Sequence, residues 1–343
     1  MQFSRHKKLV ILVLSLFFMS FLFLFWNIYR LLYSPIIPKT ASPMIIALDK
    51  ATSAYQFAYI LQDKKLIHSA KFFLLIIRFE GLSHQLKAGV YQITPGETAM
   101  KLLHRVVAGD VITQNFTIIE GSTQQKVDYD LRQANYLKYN PEDWAIVKEN
   151  YPSAEGLLLA DTYQYQGGSS SRTLLEQAHR NLLNYLNTSW TNRAPNLPYK
   201  TAYELLIAAS IIEKETAIAQ EKKLISGVMV NRLKKKMPLQ MDPTVIYGLG
   251  NQYTGKLTHN DLLIQSPYNS YLNRGLPPTP IAMVGKEAID AAAHPQLSNY
   301  LYFVAKGDGT HQSPKLMSNK DKRLINTDAR IINVIVNREI DSY

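Results

Sequence analysis

Residues Leu9 to Trp26 form an apolar run interrupted only by Ser15 and Ser20. No other stretch restricts the fold and location of the chain as strongly. As a helix rising about 1.5 Å per residue it reaches roughly 27 Å, close to the hydrocarbon thickness of a bilayer. Arg5, His6, Lys7 and Lys8 precede the run, and Trp26 and Tyr29 stand at its far end. Basic flanks stay on the cytoplasmic side, and aromatic rings settle at the interface. The pattern predicts a cytoplasmic tail over 1–8, a transmembrane helix over 9–29 and export of the remainder. A cleaved signal peptide is the competing reading. Against it, Asn27-Ile28-Tyr29-Arg30 offers no small-residue cleavage site, and the run is longer than an ordinary signal core.

The 343 residues leave room for two modest domains, and a 46% hydrophobic content lets each bury a core. The absence of cysteine excludes disulfides, thiolate chemistry and Cys-based metal centres. No His or carboxylate cluster has convincing ligand spacing, so neither a metal nor a cofactor is expected. A net charge of +11 suits an anionic partner such as lipid headgroups or an acidic polymer. Nucleic acid is not expected, because no recognisable binding fold or patch of interleaved basic and aromatic residues is present. The densest basic run, Lys234-Lys235-Lys236, follows a helical pattern and complements its dipole.

After a proline-bearing linker over 30–43, Met44–Leu48 reads as a strand. Helices follow near Tyr55–Leu61 and Ser69–Ile77, then a strand in "AGVYQI", 88–93. Thr94 and Glu97 have capping-box spacing ahead of a helix with Leu102, Leu103, Val106 and Val107 on one face. Gly109-Asp110 closes this small α/β unit, 44–112. The larger part, 113–343, opens with a strand "FTII", 116–119, and then turns mainly helical. Thr173 with Glu176, and Thr201 with Glu204, predict two further helix starts, with a loop over 187–200 between those helices. Another helix is expected over 222–236. Residues 237–283, dense in Pro, Gly, Asn and Tyr, read as a long functional loop. "YLYFVA", 300–305, reads as a buried strand and 319–340 as a terminal helix. The fold class is therefore α+β: a transmembrane helix, a small α/β subdomain and a larger mixed domain.

"AASIIEKET", 208–216, raises a chemical question. The helix is apolar on nearly every side, yet it ends in Glu213, Lys214 and Glu215. Residues three and four apart share a face. Glu213 therefore follows Ala209 and Ser210, whereas Glu215 lies in a row with Ile211, Ala208 and the already charged Glu204. By pattern Glu213 is the less solvated. A carboxyl buried among apolar groups has a raised pKa and can donate a proton near neutrality. The bland alternative is a helix-end Glu paired with a lysine, since structural ion pairs are common. The tracts "LQMDPTVIYG" and "SPYNSYLNRGLPPTPI" add aromatics beside Asn, Gln and Asp, the residue types a saccharide cleft needs.

Taken together, "AASIIEKET", "VNRLKKKMPLQMDPTVIYGLG", "SPYNSYLNRGLPPTPI" and "YLYFVAKGDGTH" resemble the MltG (YceG-like) endolytic murein transglycosylases of bacterial inner membranes, in order and in spacing. "AEGLLLADTYQY", "AGVYQI" and "IIEGST" resemble upstream parts of the family, whose N-terminal region includes a LysM-like module. Departures exist: Ala160 where the family usually has Pro, no glycine in 48–54, Ser313 for Phe, and Lys320 where a His is expected. The resemblance implies a LysM-like subdomain over 44–112 and a catalytic domain over 113–343. It also implies a catalytic Glu213, with Glu215, Gln240, Asp242, Tyr247, Asn269 and Tyr271 as candidates for contacting substrate.

The implied reaction cleaves the β-1,4 bond between N-acetylmuramic acid and N-acetylglucosamine in nascent glycan strands. Ordinary glycosidases need two carboxyls. A lytic transglycosylase manages with one, because the muramic C6 hydroxyl attacks C1 of its own ring and leaves a 1,6-anhydro end. The expected partners are peptidoglycan strands, the inner membrane and penicillin-binding synthases. A muramidase on the same substrate and a non-catalytic glycan-binding scaffold are the alternatives.

Overall fold

A computed structural model describes residues 5–305 and 311–312. The chain divides into two compact units. The first spans residues up to 114 and adds 135–138 and 164–170; the second takes 115–134, 139–163 and the chain from 171 onward.

In the first unit, helix α1, Arg5–Tyr33, contains a stretch from Leu9 to Tyr33 long and apolar enough to cross a membrane. Strand β1, Met44–Leu48, pairs antiparallel with β2, Gly89–Ile93, in a register that sets Met44 opposite Ile93 and Leu48 opposite Gly89. Between them lie α2, Ala54–Asp63, and α3, Ala70–Phe79; α4, Ala99–Ala108, follows. Ser53 and Gln56 form a complete capping box at α2, which satisfies two donors of its first turn. Phe57, Leu61, Phe73, Ile77, Tyr91 and Leu102 are fully buried and fill the core. Residues 34–41 are tied down as well: Ile36 N–H donates to Glu97 O at 2.7 Å, and Ile37 is buried.

The start of α4 differs from expectation. Glu97 reaches back to Thr94 N at 2.9 Å, but this closes a turn, and Thr98 caps α4 by accepting from Lys101 N. Both threonines have polar residues three positions on; the apolar face begins only after the second. At the other end Gly109 adopts φ +77° and terminates α4, as its composition predicts.

Strands β3, Thr113–Thr117, and β4, Thr162–Gln166, pair with each other. Strand β3 starts earlier than "FTII" and leaves out Ile118 and Ile119. Helices α5, Gln124–Gln133, and α6, Trp144–Lys148, lead to α7, Ser171–Thr191. Helix α7 begins two residues before Thr173 and runs as far as Thr191 into the stretch expected to be loop, where Ser189 remains buried, continuing the row of Leu182 and Leu186. Helix α8, Ala202–Glu215, starts at the Thr201 cap; the return bond of Glu204 goes to Lys200 N at 2.6 Å. Helix α9, Ala219–Lys234, follows. The supposed long loop contains α10, Asp242–Leu249, with Pro243 in its first turn, where a missing N–H is harmless. Helix α11, Lys286–Ala293, comes next. Strands β5, Val304–Ala305, and β6, His311–Gln312, pair antiparallel. Only the last two residues of "YLYFVA" are strand, and the expected terminal helix lies outside the described residues.

Helix α8 is the axis of this unit. Helices α7, α9, α10 and α11 all pack on it, and every residue from Leu205 to Glu213 is buried. Its all-round apolarity follows: a helix covered on every side has no solvent face to keep polar.

Candidate active site

The last three residues of α8 point to three different environments, as the 3.6-residue repeat requires. Glu213 faces inward. Its Oε1 accepts from Lys222 Nζ of α9 at 2.7 Å, and its Oε2 accepts from Gly285 N, the N-cap of α11, at 2.9 Å. Lys222 is 1% exposed, and its ammonium also has Glu120 and Glu287 at 3.8 Å. Burial, and next the Glu213 charge, push the Glu120 carboxyl upward. One turn back, Ser210 Oγ accepts from Ile281 N at 3.0 Å. Ser210 and Glu213 thus hold residues 281–285 along α8. The same segment takes bonds from Gly121 N to Met283 O and from Ala160 N to Val284 O, both 2.9 Å. Ala160, the departure from Pro, donates a bond that proline could not make.

Lys214 turns outward, donates to Gly121 O at 3.2 Å and lines a cavity of about 640 Å³. Pro243, Ile246 and Tyr247 of α10 form an apolar wall of that cavity; Gln124, Asp128 and Asn251 add polar groups. Glu155 is part of its lining although only 4% exposed. One oxygen accepts from Gln124 N at 2.9 Å and the other from Tyr247 Oη at 3.1 Å. Burial outweighs these bonds and raises the carboxyl to about 7. The Tyr247 ring meets Tyr268 edge-on, with centroids 4.7 Å apart.

Glu215 faces a third group. Its Oε2 is buried and has no hydrogen-bond partner among the described residues. Burial raises the carboxyl to about 8; the charge of Asp242 adds to the shift, and Arg232 opposes it. Arg232 is held by Leu301 O at 2.6 Å and by Leu239 O, with Gln240 Oε1 at 3.4 Å. Tyr271 Oη donates to Asp242 Oδ1 at 2.6 Å. Backbone and hydroxyl bonds between 240–244 and Ser270 aim that tyrosine: Gln240 N to Ser270 O is 3.0 Å, and Met241 N to Ser270 Oγ is 2.9 Å.

Of the residues expected to contact substrate, Glu215, Gln240, Asp242 and Tyr271 come together, and Tyr247 lines the cavity. Asn269 is fully buried; its amide donates to Leu262 O and Ile264 O, both 3.0 Å, and accepts from Tyr271 N at 3.0 Å. It holds its own loop in shape. Sequence reasoning did not single out Lys222, Glu155 or Arg232. Glu155 and Arg232 lay inside the quoted tracts, and Lys222 carried no signal beyond a place in a helix.

Among curated proteins, an endolytic murein transglycosylase of Bacillus subtilis (strain 168) is 28% identical over 321 residues, covering 85% of this chain and 86% of that protein. An endolytic murein transglycosylase of Streptococcus pneumoniae serotype 2 is 26% identical over 318 residues; the chain spans 56% of its length. A yceG-like protein of Listeria monocytogenes, of known crystal structure, aligns with 28% identity and a TM-score of 0.49 over 83% of this chain and all of that one. The family model of the YceG-like family matches residues 46–320, a span that holds the three-way end of α8, the cavity and the Arg232–Asp242–Tyr271 group, and the chain belongs to that family.

Proposed function

We propose that this chain is an endolytic murein transglycosylase, a lyase that cuts peptidoglycan strands, with Glu215 as its general acid and base. The family membership and the names of its relatives support the reaction class. The observation that carries the residue assignment is the contrast between the two glutamates of "EKET". Both oxygens of Glu213 are engaged by Lys222 and Gly285. Glu215 has a buried oxygen without a partner and a carboxyl raised to about 8. The acid–base role implied for Glu213 therefore moves two residues along, and Glu213 becomes a strut joining α8, α9 and α11.

Near neutral pH Glu215 holds its proton and donates it to the glycosidic oxygen between N-acetylmuramic acid and N-acetylglucosamine. The resulting carboxylate takes the proton of the muramic C6 hydroxyl as that oxygen attacks C1 of the same ring. The C1–O4 bond breaks, the C1–O6 bond forms, and a 1,6-anhydro end is left with no water consumed. One carboxyl serves both transfers because the nucleophile is internal, where hydrolytic glycosidases need two carboxyls. The Asp242 charge, oriented by Tyr271, is assigned to favouring an oxocarbenium-like transition state. Glu155 and Tyr247 form the polar floor of the neighbouring cavity, which suits an adjoining part of the strand.

The same reading assigns 1–8 to the cytoplasm, 9–29 to an inner-membrane span and residues 33–343 to the periplasm. The unit over 44–112 is taken as a LysM-like glycan-positioning module; two helices between antiparallel strands support that choice. Penicillin-binding synthases are the natural source of the nascent strand. Mass spectrometry of strands digested by the full chain tests the proposal. Anhydro-muropeptides are expected; reducing ends would make the protein a muramidase, and unchanged strands a binding scaffold.

A further inference from the structure

Helix α3 carries two apolar stripes. Ala70, Phe73, Leu74 and Ile77 form one and are buried in the core of the small unit. Phe72, Leu75, Ile76 and Phe79 form the other, at i, i+3, i+4 and i+7; Phe72 and Ile76 are half-buried at the edge of the core, and Leu75 and Phe79 stand out from it. Leu75 is 59% exposed and Phe79 93% exposed. Exposed apolar residues scattered singly need no explanation, but Leu75 and Phe79, one turn apart and continuous with half-buried Phe72 and Ile76, form a patch that does.

The position of the stripe relative to α1 identifies what covers it. The Phe72 ring meets Phe23 of α1 edge-on, with centroids 6.3 Å apart. Arg30 Nη2 bonds the His68 ring at 2.9 Å just ahead of α3, and Leu31 is buried in the same core. The apolar stretch from Leu9 to Tyr33 has 25 residues, or about 37 Å at 1.5 Å each, more than the roughly 30 Å of a hydrocarbon core. Counted from Leu9, that core ends near Ile28, beside Trp26 and Tyr29, which suit the interface. Phe23 then lies several ångströms inside the far boundary, and Phe72 touches it. Exposed Lys71 and Arg78 border the stripe on α3 itself, and exposed Lys64 and Lys65 follow the end of α2, which packs on α3, against Asp63 and Glu80 of opposite sign.

We propose that α3 is a second membrane contact. Phe72, Leu75, Ile76 and Phe79 enter the acyl–headgroup boundary of the leaflet that α1 leaves. Lys64, Lys65, Lys71 and Arg78 meet lipid phosphates, the two on α3 by extending their stems along the apolar face. The inference rests on α1 spanning a membrane and not on the reaction assigned above.

The chain has no cysteine, so single labelling sites are clean. Leu75→Cys and Phe79→Cys, carrying a nitroxide, are reconstituted as the full chain in vesicles of phosphatidylethanolamine and phosphatidylglycerol. Phe17→Cys in the span serves as lipid reference and Gln220→Cys as water reference. Relaxation by oxygen and by a water-soluble nickel chelate is measured. Both α3 labels are expected to be relaxed by oxygen over nickel, approaching Phe17. Nickel accessibility equal to that of Gln220 overturns the proposal. So does shielding from both agents with dipolar broadening at high protein density, the outcome for a second copy seated on α3. If the Phe17 label itself is not in lipid, the span has failed and α3 is not membrane-bound by this route.

Discussion

Glu213 and Glu215 are two residues apart and carry the same group, so paired substitutions isolate environment from chemistry. Glu215→Gln is expected to lower anhydro-muropeptide release by about 10²–10⁴-fold or more, the typical worth of one proton transfer, since the amide can neither give nor take the proton. Glu213→Gln removes the nearest of three carboxylates around the buried Lys222, the one at 2.7 Å, and leaves Glu120 and Glu287 at 3.8 Å. Breaking a buried pair typically costs about 3–5 kcal/mol, and the lower end is expected here because the amide oxygen still accepts one bond. Its rate should stay within about tenfold of wild type, short of one lost proton transfer. The reverse ranking, an inert Glu213→Gln and an active Glu215→Gln, would return the acid role to Glu213. A pH profile gives an independent check. Activity needs the protonated Glu215, so it should fall as pH rises through about 8. Stability should move the same way: a carboxyl whose folded pKa is raised favours folding below its unfolded pKa and loses that contribution as pH rises to the folded value. The thermal midpoint of Glu215→Gln relative to wild type should therefore rise between pH 5 and 9, a trend that Glu155, present in both, leaves unchanged. Helical periodicity read from the chain put Glu215 in a row with charged Glu204. It could not register that Arg232, Asp242 and Tyr271, brought from α9, α10 and the following loop, close over that row.

The elements most legible in the sequence were those whose own residues decide them. Strand β1 has the bounds read from its apolar run, and β2, α2 and α3 agree to within two residues. The misses have local causes. Helix α10 begins Asp-Pro and carries Gly248, so composition hid a helix that needs only its first turn free of N–H donors. Helix α11 is eight residues rich in alanine, with no side-chain cap, and owes its stability to packing on α8. The segment between them is where a single backbone position matters most. Gly156 adopts φ +73°, and an added Cβ would fall 2.3 Å from Pro280 Cβ and 3.0 Å from Ala282 O. Gly156→Ala should therefore push residues 280–282 away from α8 and shift the adjacent Glu155. Overpacking of this kind costs roughly 1–3 kcal/mol, and the left-handed backbone adds to it. A lowered thermal midpoint with a raised KM for glycan strands is expected; a variant as stable and active as wild type would show that the cavity floor is not held by this contact.

At the scale of the whole molecule, the sequence bears on which side of the membrane each part occupies, through charge placed around one helix. Arg5, Lys7 and Lys8 precede the apolar stretch, and only Arg30 lies at its far end before Tyr33. A basic flank immediately ahead of a span favours a cytoplasmic N-terminus, the orientation proposed above. On that proposal everything after Tyr33 is outside, where murein is, and the excess of basic over acidic residues there faces an anionic leaflet and an anionic polymer. The absence of cysteine makes the topology directly measurable. In spheroplasts a membrane-impermeant maleimide should label Gln220→Cys at once and Gln2→Cys only after the membrane is permeabilised. Carbonate washing should leave the full-length chain with the membrane, because about 30 Å of apolar helix is not extracted as a peripheral protein would be. Labelling of Gln2→Cys in intact spheroplasts would reverse the orientation and separate the cluster around Glu215 from its substrate. A soluble product shortened by the length of α1 would instead mean that the helix is removed, and α3 would then have to hold the small unit to the bilayer by itself. An apolar stripe of four residues with a basic border gives reversible attachment at best, so the cleaved form should partition between membrane and solution according to lipid concentration, whereas the intact chain should not.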